Sequence, residues 1–254
     1  MKSLEAYKHM ASYYRALVNE REHFQSQAAI VKELIKLINK PHPRILDAAC
    51  GSGDVLALLA SDYRHIAGVD GSPDMLSIAI TDPRLEGISF SCCRWENLKF
   101  FFMRQEQFDL VFFLGNSIAH IEDRKSLKDI VSIVYNGLSS GGILAFDIRN
   151  WILDKESGKL IEQGRSISSP RNLGSFKNTE GKAFEITDQC SYSNGRQNIK
   201  YNIQGVNFSD DFTLSYLPFS CDDALDIIKQ SGFDNYKTQV YPNWKYTVII
   251  GFKS

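Results

Sequence analysis

Apolar residues recur along this chain in two alternating rhythms. Ala28, Val31, Leu34, Ile35 and Ile38 fall three and four apart, so residues 27–38 predict a helix with one face on a core. Pro-His-Pro at 41–43 ends it, because proline lacks an N–H and restricts the residue before it. Short, largely apolar runs then predict five strands: "RILDAA" (44–49), "HIAGVD" (65–70), "GISFSCC" (87–93), "FDLVFFLG" (108–115) and "ILAFD" (143–147). Between them "DVLALLA" (54–60) opens a helix, and "SPDMLSIAI" (72–80) starts another with Ser72 as cap and Pro73 in the first turn. The third strand leads into a polar turn. Leu127, Ile130, Val131, Val134 and Leu138 repeat at helical intervals until "SSGG" stops them. Strand–helix alternation of this kind describes a parallel sheet covered on both faces.

After Trp151 the rhythm changes. Residues 157–182 are rich in Gly and Ser, and "FEITDQCSYS", "QNIKYNIQGVNF" and "FTLSYLPF" alternate as antiparallel strands do. "CDDALDIIKQSGF" returns to a helix, and "YKTQVYP" with "WKYTVIIGFK" forms a closing hairpin on the sheet edge. The expected organisation is therefore an N-terminal helical segment (1–40), an α/β core (41–150), an inserted antiparallel β cap (151–219), and a C-terminal helix and hairpin (220–254) completing the core. The cap is expected over the carboxyl ends of the strands, where open parallel sheets bind ligands.

Composition adds exclusions. The 254 residues carry a formal net charge of -1 with Lys and Arg scattered along the chain, so no local basic patch points to nucleic acid. "MKSLEAYKHM" lacks the apolar core of a signal peptide, and "LVFFLG" is far short of the roughly 20 apolar residues of a membrane span. A cytoplasmic protein is expected. Five cysteines without CxxC or Cys/His ligand spacing exclude both a disulfide framework and a zinc site; vicinal Cys92 and Cys93 are expected on a buried strand.

The chemistry centres on "ILDAACGSGD", residues 45–54. A dinucleotide site wants three glycines and an unobstructed helix N-terminus for its pyrophosphate, yet Leu56 stands where the third glycine belongs. Asp47 ends the strand and Asp54 begins the helix, so a phosphate would meet two carboxylates, each encounter costing about 1 kcal/mol in water and about 4 at an intermediate dielectric. Such a turn welcomes a cation. Asp70, 23 residues after Asp47, ends the second strand, where an acidic side chain can accept ribose hydroxyls. Each of these aspartates also has a plainer reading as a cap or turn residue.

"LDAACGSGD", "GVDGSPDML" and "LSSGGILAFD" together resemble the class I S-adenosylmethionine-dependent methyltransferases, and "LGNSIAHI" and "FDIRNW" are similar to stretches of the glycine and sarcosine N-methyltransferases. The resemblance implies a Rossmann-like seven-stranded methyltransferase sheet with S-adenosylmethionine as cofactor and S-adenosylhomocysteine as product. It also implies a small amine or amino-acid acceptor, no nucleic-acid or membrane partner, and a homo-oligomer as an option. By that likeness Asp47 would hold the cofactor ammonium, Asp70 its ribose, Arg21 its carboxylate, Met75 and Trp95 its adenine, and His120 would sit near the methionyl end. Tyr14, Ala48, Gly51, Gly53, Gly71, Glu96 and Leu114 complete the expected cofactor site. Arg149 would grip an acceptor carboxylate, Asn116 would contact its amine, and Tyr201 and Tyr216 would line the site. Arg149 could instead serve a salt bridge within the cap, the tyrosines strand packing, and His120 a helix start. A tyrosine that the family places after the fifth strand has no counterpart in "RSISSPRNLGS". Three functions stay open: an amino-acid N-methyltransferase, a methyltransferase for another small N or O acceptor, and a non-catalytic S-adenosylmethionine binder. A nicotinamide-dependent oxidoreductase stands further off.

Overall fold

The computed structural model describes residues 2–18, 20–155, 158–165, 169–177 and 181–254, with only the backbone described at residues 2–4, 20 and 21. The chain opens with α1 (Lys2–Met10), α2 (Tyr14–Leu17) and α3 (Glu20–Ile35). The core alternates as expected: β1 (Ile45–Asp47), α4 (Asp54–Leu59), β2 (Ile66–Asp70), α5 (Pro73–Thr81), β3 (Ser89–Cys92), α6 (Leu98–Phe102), β4 (Phe108–Phe113), α7 (Arg124–Gly137) and β5 (Leu138–Ile148). Five further strands, β6 (Trp151–Leu153), β7 (Leu160–Glu162), β8 (Arg171–Lys177), β9 (Ala183–Ser193) and β10 (Arg196–Gly205), precede β11 (Ser209–Tyr216). The chain closes with α8 (Cys221–Gln230), β12 (Asn235–Val240) and β13 (Thr247–Phe252).

The central sheet has seven strands in the order β12-β13-β5-β4-β1-β2-β3, parallel from β5 to β3, with the β12–β13 hairpin antiparallel at one edge. The hydrophobic runs predicted the parallel sheet, and the resemblance implied its seven-stranded Rossmann-like arrangement. Side chains alternate across the pleat into two cores. Leu46, Val69, Val111, Phe113, Leu144 and Phe146 pack on one face with α7 and α8, while Ile45, Leu110, Phe112, Ile143 and Ala145 pack on the other with α3, α4 and α5. The helical stripes hold: Val31 and Leu34 of α3 and Leu127 and Val134 of α7 are fully buried. Strands β8 to β11 form a separate four-stranded antiparallel sheet, and β6 pairs with β7.

Several local expectations need correcting. The first core helix starts earlier, at Glu20, and ends at Ile35, with Leu37 and Ile38 continuing as turns that donate to Leu34 and Ile35. Cys92 is exposed and Cys93 only partly buried, because β3 is the edge strand and lacks a neighbour on one side. A short helix, α6, stands where a polar turn was expected, seating Leu98 in the core. Gly137 already ends α7, and "SSGG" begins β5 instead, where Gly141 and Gly142 exchange hydrogen bonds with Lys253. Parts of the Gly/Ser-rich stretch 157–182 lie outside the described residues.

Ser72 caps α5 as expected, accepting the Met75 N–H at 3.3 Å, with Pro73 in the first turn. Replacing Ser72 with alanine removes that acceptor from a buried helix start, and urea unfolding should show a loss of about 1 kcal/mol.

Candidate active site at the strand tips

β1 is central, paired with β2 on one side and β4 on the other, so its tip is fixed from both flanks. Past Asp47 the chain turns through Gly51 and Gly53 at φ +52° and +77°; a Cβ on Gly53 would stand 2.5 Å from the Leu85 side chain. Only glycine fits there without strain. Asp70 joins two turns, accepting the N–H of Gly51 and of Ser72, each at 2.8 Å. Asp47 is buried and accepts the Ala49 N–H at 3.1 Å. Burial pushes its carboxyl up to about 8, the Ala49 bond opposing this and the nearby Asp70 adding to it. Asp70 is raised by burial too, against the bonds from Ser72 and Gly51.

Asp54 plays neither of the parts considered for it. Gly53 holds the cap position, and the Asp54 carboxylate takes Ser52 Oγ at 2.6 Å, Arg15 Nη2 at 2.9 Å and Arg84 Nη2 at 3.0 Å. Two guanidinium groups neutralise it, so of the three aspartates Asp70 lines the cavity and Asp47 lies buried behind that lining. Arg15 lies on α2, and this bond ties the N-terminal segment to the glycine turn.

Above the turns lies a cavity of about 450 Å³, within the usual range for small-molecule sites. Tyr14, Gly51, Asp70, Gly71, Met75, Trp95, Glu96, His120, Arg149, Tyr201 and Tyr216 all line it. Trp95 is held in place by donating Nε1–H to the Ala48 carbonyl at 2.7 Å and by an edge contact with Phe113. Five other expected residues, Asp47, Ala48, Gly53, Leu114 and Asn116, are buried behind the lining or shape the turns that carry it. The side chain of Arg21 lies outside the described residues.

The other end of the cavity is organised by Asp147, the last but one residue of β5. Its buried carboxylate accepts Gly115 N–H at 3.0 Å, Asn116 N–H at 2.5 Å and Trp244 Nε1–H at 2.8 Å. Burial lifts it to about 7 despite these bonds. Asn116, at φ +61°, turns its Oδ1 to the Arg149 N–H at 3.1 Å, leaving a buried Nδ2 without a partner among the described residues.

Arg149 is nearly buried. Its Nη1 donates to Glu162 on β7 at 2.6 Å, and its guanidinium stands 4.4 Å from the Tyr216 ring and 5.7 Å from the Tyr246 ring. The salt bridge to the cap foreseen as its alternative is present, yet Nε is buried without a partner among the described residues. His120 packs between Tyr7 and Tyr216, at 5.4 and 4.7 Å between ring centres. Burial first, then the charge of Arg149, push its imidazole down to about 3, so it is neutral.

Sequence reasoning missed Tyr7, Arg196, Lys245 and Tyr246 of the lining, and Glu162 behind it. Tyr7 carries no local signal because α1 reaches the site only through tertiary packing. Tyr246 was legible in principle: the register Thr247↔Ile148 sets it opposite Arg149. Among the described residues no cluster of three metal-ligating side chains occurs, and no helix is long and apolar enough to cross a membrane.

The raised carboxyl of Asp47 has a sign that can be tested. An unfolded aspartate releases its proton near 3.9, the native one near 8, so between these values the native state binds more protons and stability falls as pH rises. The free energy from urea unfolding should decline between pH 5 and 8, and Asp47→Asn should flatten that decline by up to about 1.4 kcal/mol per pH unit. An unchanged slope would show that the carboxyl is not held neutral.

Comparison with known proteins agrees with this geometry. Residues 45–142 match the model of a methyltransferase domain. The chain is 32% identical to glycine N-methyltransferase of Mus musculus over 42% of this chain and 41% of that protein. It is 29% identical to glycine/sarcosine N-methyltransferase of Parasynechococcus marenigrum (strain WH8102) over 52% and 47%. These matches thus span about half the length of the relatives or less. In fold, it superposes on DesVI of Streptomyces venezuelae with a TM-score of 0.75 at 14% identity, covering 97% of this chain and 98% of that one. The sugar N-methyltransferase KedS8 of Streptoalloteichus sp. ATCC 53650 gives 0.71 at 20% identity, covering 94% and 92%. Glycine turn, acidic strand tips and sheet order converge with the matched model: residues 45–142 are a class I S-adenosylmethionine-dependent methyltransferase domain, and S-adenosylmethionine is its cofactor.

Proposed function

We propose that the chain transfers a methyl group from S-adenosylmethionine to the amine of a small carboxylate-bearing acceptor such as glycine or sarcosine. The observation that carries this reading is the buried Arg149, which lines the cavity with an unpartnered Nε among the described residues, and behind that lining the buried Asn116, whose Oδ1 accepts the Arg149 N–H. The guanidinium donor fits a carboxylate, and the second lone pair of Asn116 Oδ1 can accept an amine N–H, which leaves the amine lone pair free to attack the methyl. The likeness to glycine and glycine/sarcosine N-methyltransferases agrees in kind.

On this reading Asp47 takes the cofactor ammonium, Asp70 the ribose hydroxyls, Met75 and Trp95 the adenine, and Arg21 the cofactor carboxylate. When bound, S-adenosylmethionine supplies an activated methyl on a sulfonium, and no metal is needed for its transfer. The chain's task is positioning, which can account for much of such a reaction's acceleration. Arg149 fixes the acid end, Asn116 orients the nitrogen, and the Tyr201 and Tyr216 rings accommodate a methylammonium product. An amine with a pKa near 10.4 must lose its proton, which costs about 5 kcal/mol at pH 7. Burial pushes the His120 imidazole down to about 3, which suits it poorly to keep that proton, and no general base is required if the amine is deprotonated before or on binding.

A second reading, a different small acceptor such as an amino sugar, is favoured by the likeness to a sugar N-methyltransferase over 94% of the chain and by Glu162, which already occupies one edge of Arg149. A panel of glycine, sarcosine, dimethylglycine and other amines with labelled S-adenosylmethionine separates the two. Arg149→Ala should raise the KM of a carboxylate acceptor by about 10- to 100-fold, the equivalent of a lost charged hydrogen bond of about 1.5–3 kcal/mol, while the Kd for S-adenosylmethionine moves less than about twofold. Unchanged acceptor kinetics would remove Arg149 from this role.

A further inference from the structure

The charge at the acceptor end does not come from Arg149. Its guanidinium meets the Glu162 carboxylate at 2.6 Å, and with side chains only 11% and 20% exposed the two form a closed, neutral pair. Arg149 offers oriented donors and little net attraction for an anion. Another cation stands beside it. Lys245 immediately precedes β13, and the pairing of that strand with β5 sets Tyr246 opposite Arg149, so both cations reach the same cavity.

Lys245 also lines a second opening, a groove of about 750 Å³ between α3 and the loop 241–245. Val18, His23 and Lys245 line both, so Lys245 stands where cavity and groove adjoin. Among the described residues no carboxylate stands within ion-pair distance of the Lys245 ammonium. Of the acidic groups across the groove, Glu33 is paired with Lys36 at 2.6 Å, and Glu22 is exposed. His23, beside it, is pushed down to about 4 by burial and by Lys245 itself, and so adds no charge. Lys245 is exposed overall; partial desolvation and the neighbouring Arg149 lower its ammonium, with Glu162 and Asp147 opposing them.

We propose that Lys245 is a specificity-determining residue: from the cavity wall, alongside Arg196, it supplies a positive charge without a carboxylate partner among the described residues, which selects an anionic acceptor by pairing with the acceptor carboxylate that Arg149 orients. The proposal rests on the carboxylate-acceptor reading and adds a residue and a division of labour to it. An acceptor amine without an anionic group gains nothing from Lys245.

Steady-state kinetics with sarcosine and its carboxamide, sarcosinamide, on the wild type, Lys245→Met and Lys245→Arg test this. The wild type should prefer the acid. Lys245→Met should raise the sarcosine KM about tenfold with kcat within about twofold, leave the sarcosinamide KM and the Kd for S-adenosylmethionine in place, and remove most of the salt dependence of the sarcosine KM. Lys245→Arg should keep the preference. If Lys245→Met retains the full preference for the acid, Lys245 is not the selector, although the carboxylate reading stands. If the wild type shows no preference for the acid over the amide, the carboxylate reading itself fails and takes the proposal with it.

Discussion

Parallel strands all end at one edge of the sheet, and the backbone N–H groups of the turns beyond them need acceptors. In this chain aspartates at three strand ends provide them. Asp47 holds Ala49, Asp70 joins the turns after β1 and β2, and Asp147 ties Gly115 and Asn116 to Trp244. Asp47 and Asp147 are buried and Asp70 partly so, and desolvation raises all three carboxyls. The same groups that shape the turns are therefore short of positive charge, and the site they frame is suited to a cation. Any ligand presenting phosphate to the tips of β1 and β2 would add negative charge to groups already penalised for their own.

The cavity is polarised along its length. Its cofactor end carries Asp70 and, behind the lining, Asp47; its acceptor end carries Arg149, Lys245 and a set of buried tyrosines. Burial pushes the Tyr216 and Tyr246 hydroxyls up to about 12, so they stay protonated, with their rings against the guanidinium. A sulfonium donor and, on the proposed reading, an anion-bearing amine would satisfy the two ends separately. The N-terminal segment closes the arrangement: Arg15 reaches Asp54 under the glycine turn, and Tyr7 of α1 meets His120.

The fold was legible because continuous apolar strands and amphipathic helices have distinct periods, and the runs at 45–47, 66–70 and 108–113 can be nothing but interior strands in an alternating series. The glycine turn and its acids were legible for a related reason: Leu56 in place of a glycine and carboxylates at strand ends are local facts with electrostatic consequences. What escaped was set by tertiary contact. Asp54 read as a carboxylate facing the ligand until Arg15 and Arg84, 39 and 30 residues away, neutralised it. Cys92 and Cys93 read as interior because the strand's apolar pattern does not say that β3 is the edge. Lys245 and Glu162 were invisible because their meaning depends on which charges Arg149 already meets.

The central claim is that a buried, largely neutral Asp47 becomes a carboxylate when a cation arrives. Calorimetric titration of the protein with S-adenosylmethionine at pH 7, repeated in buffers of different ionisation enthalpy, reads this directly as protons released per ligand bound. The account predicts release approaching one proton, lost in Asp47→Asn, because the incoming ammonium draws down a carboxyl held near 8. Binding of S-adenosylmethionine with no proton release in the wild type would contradict it.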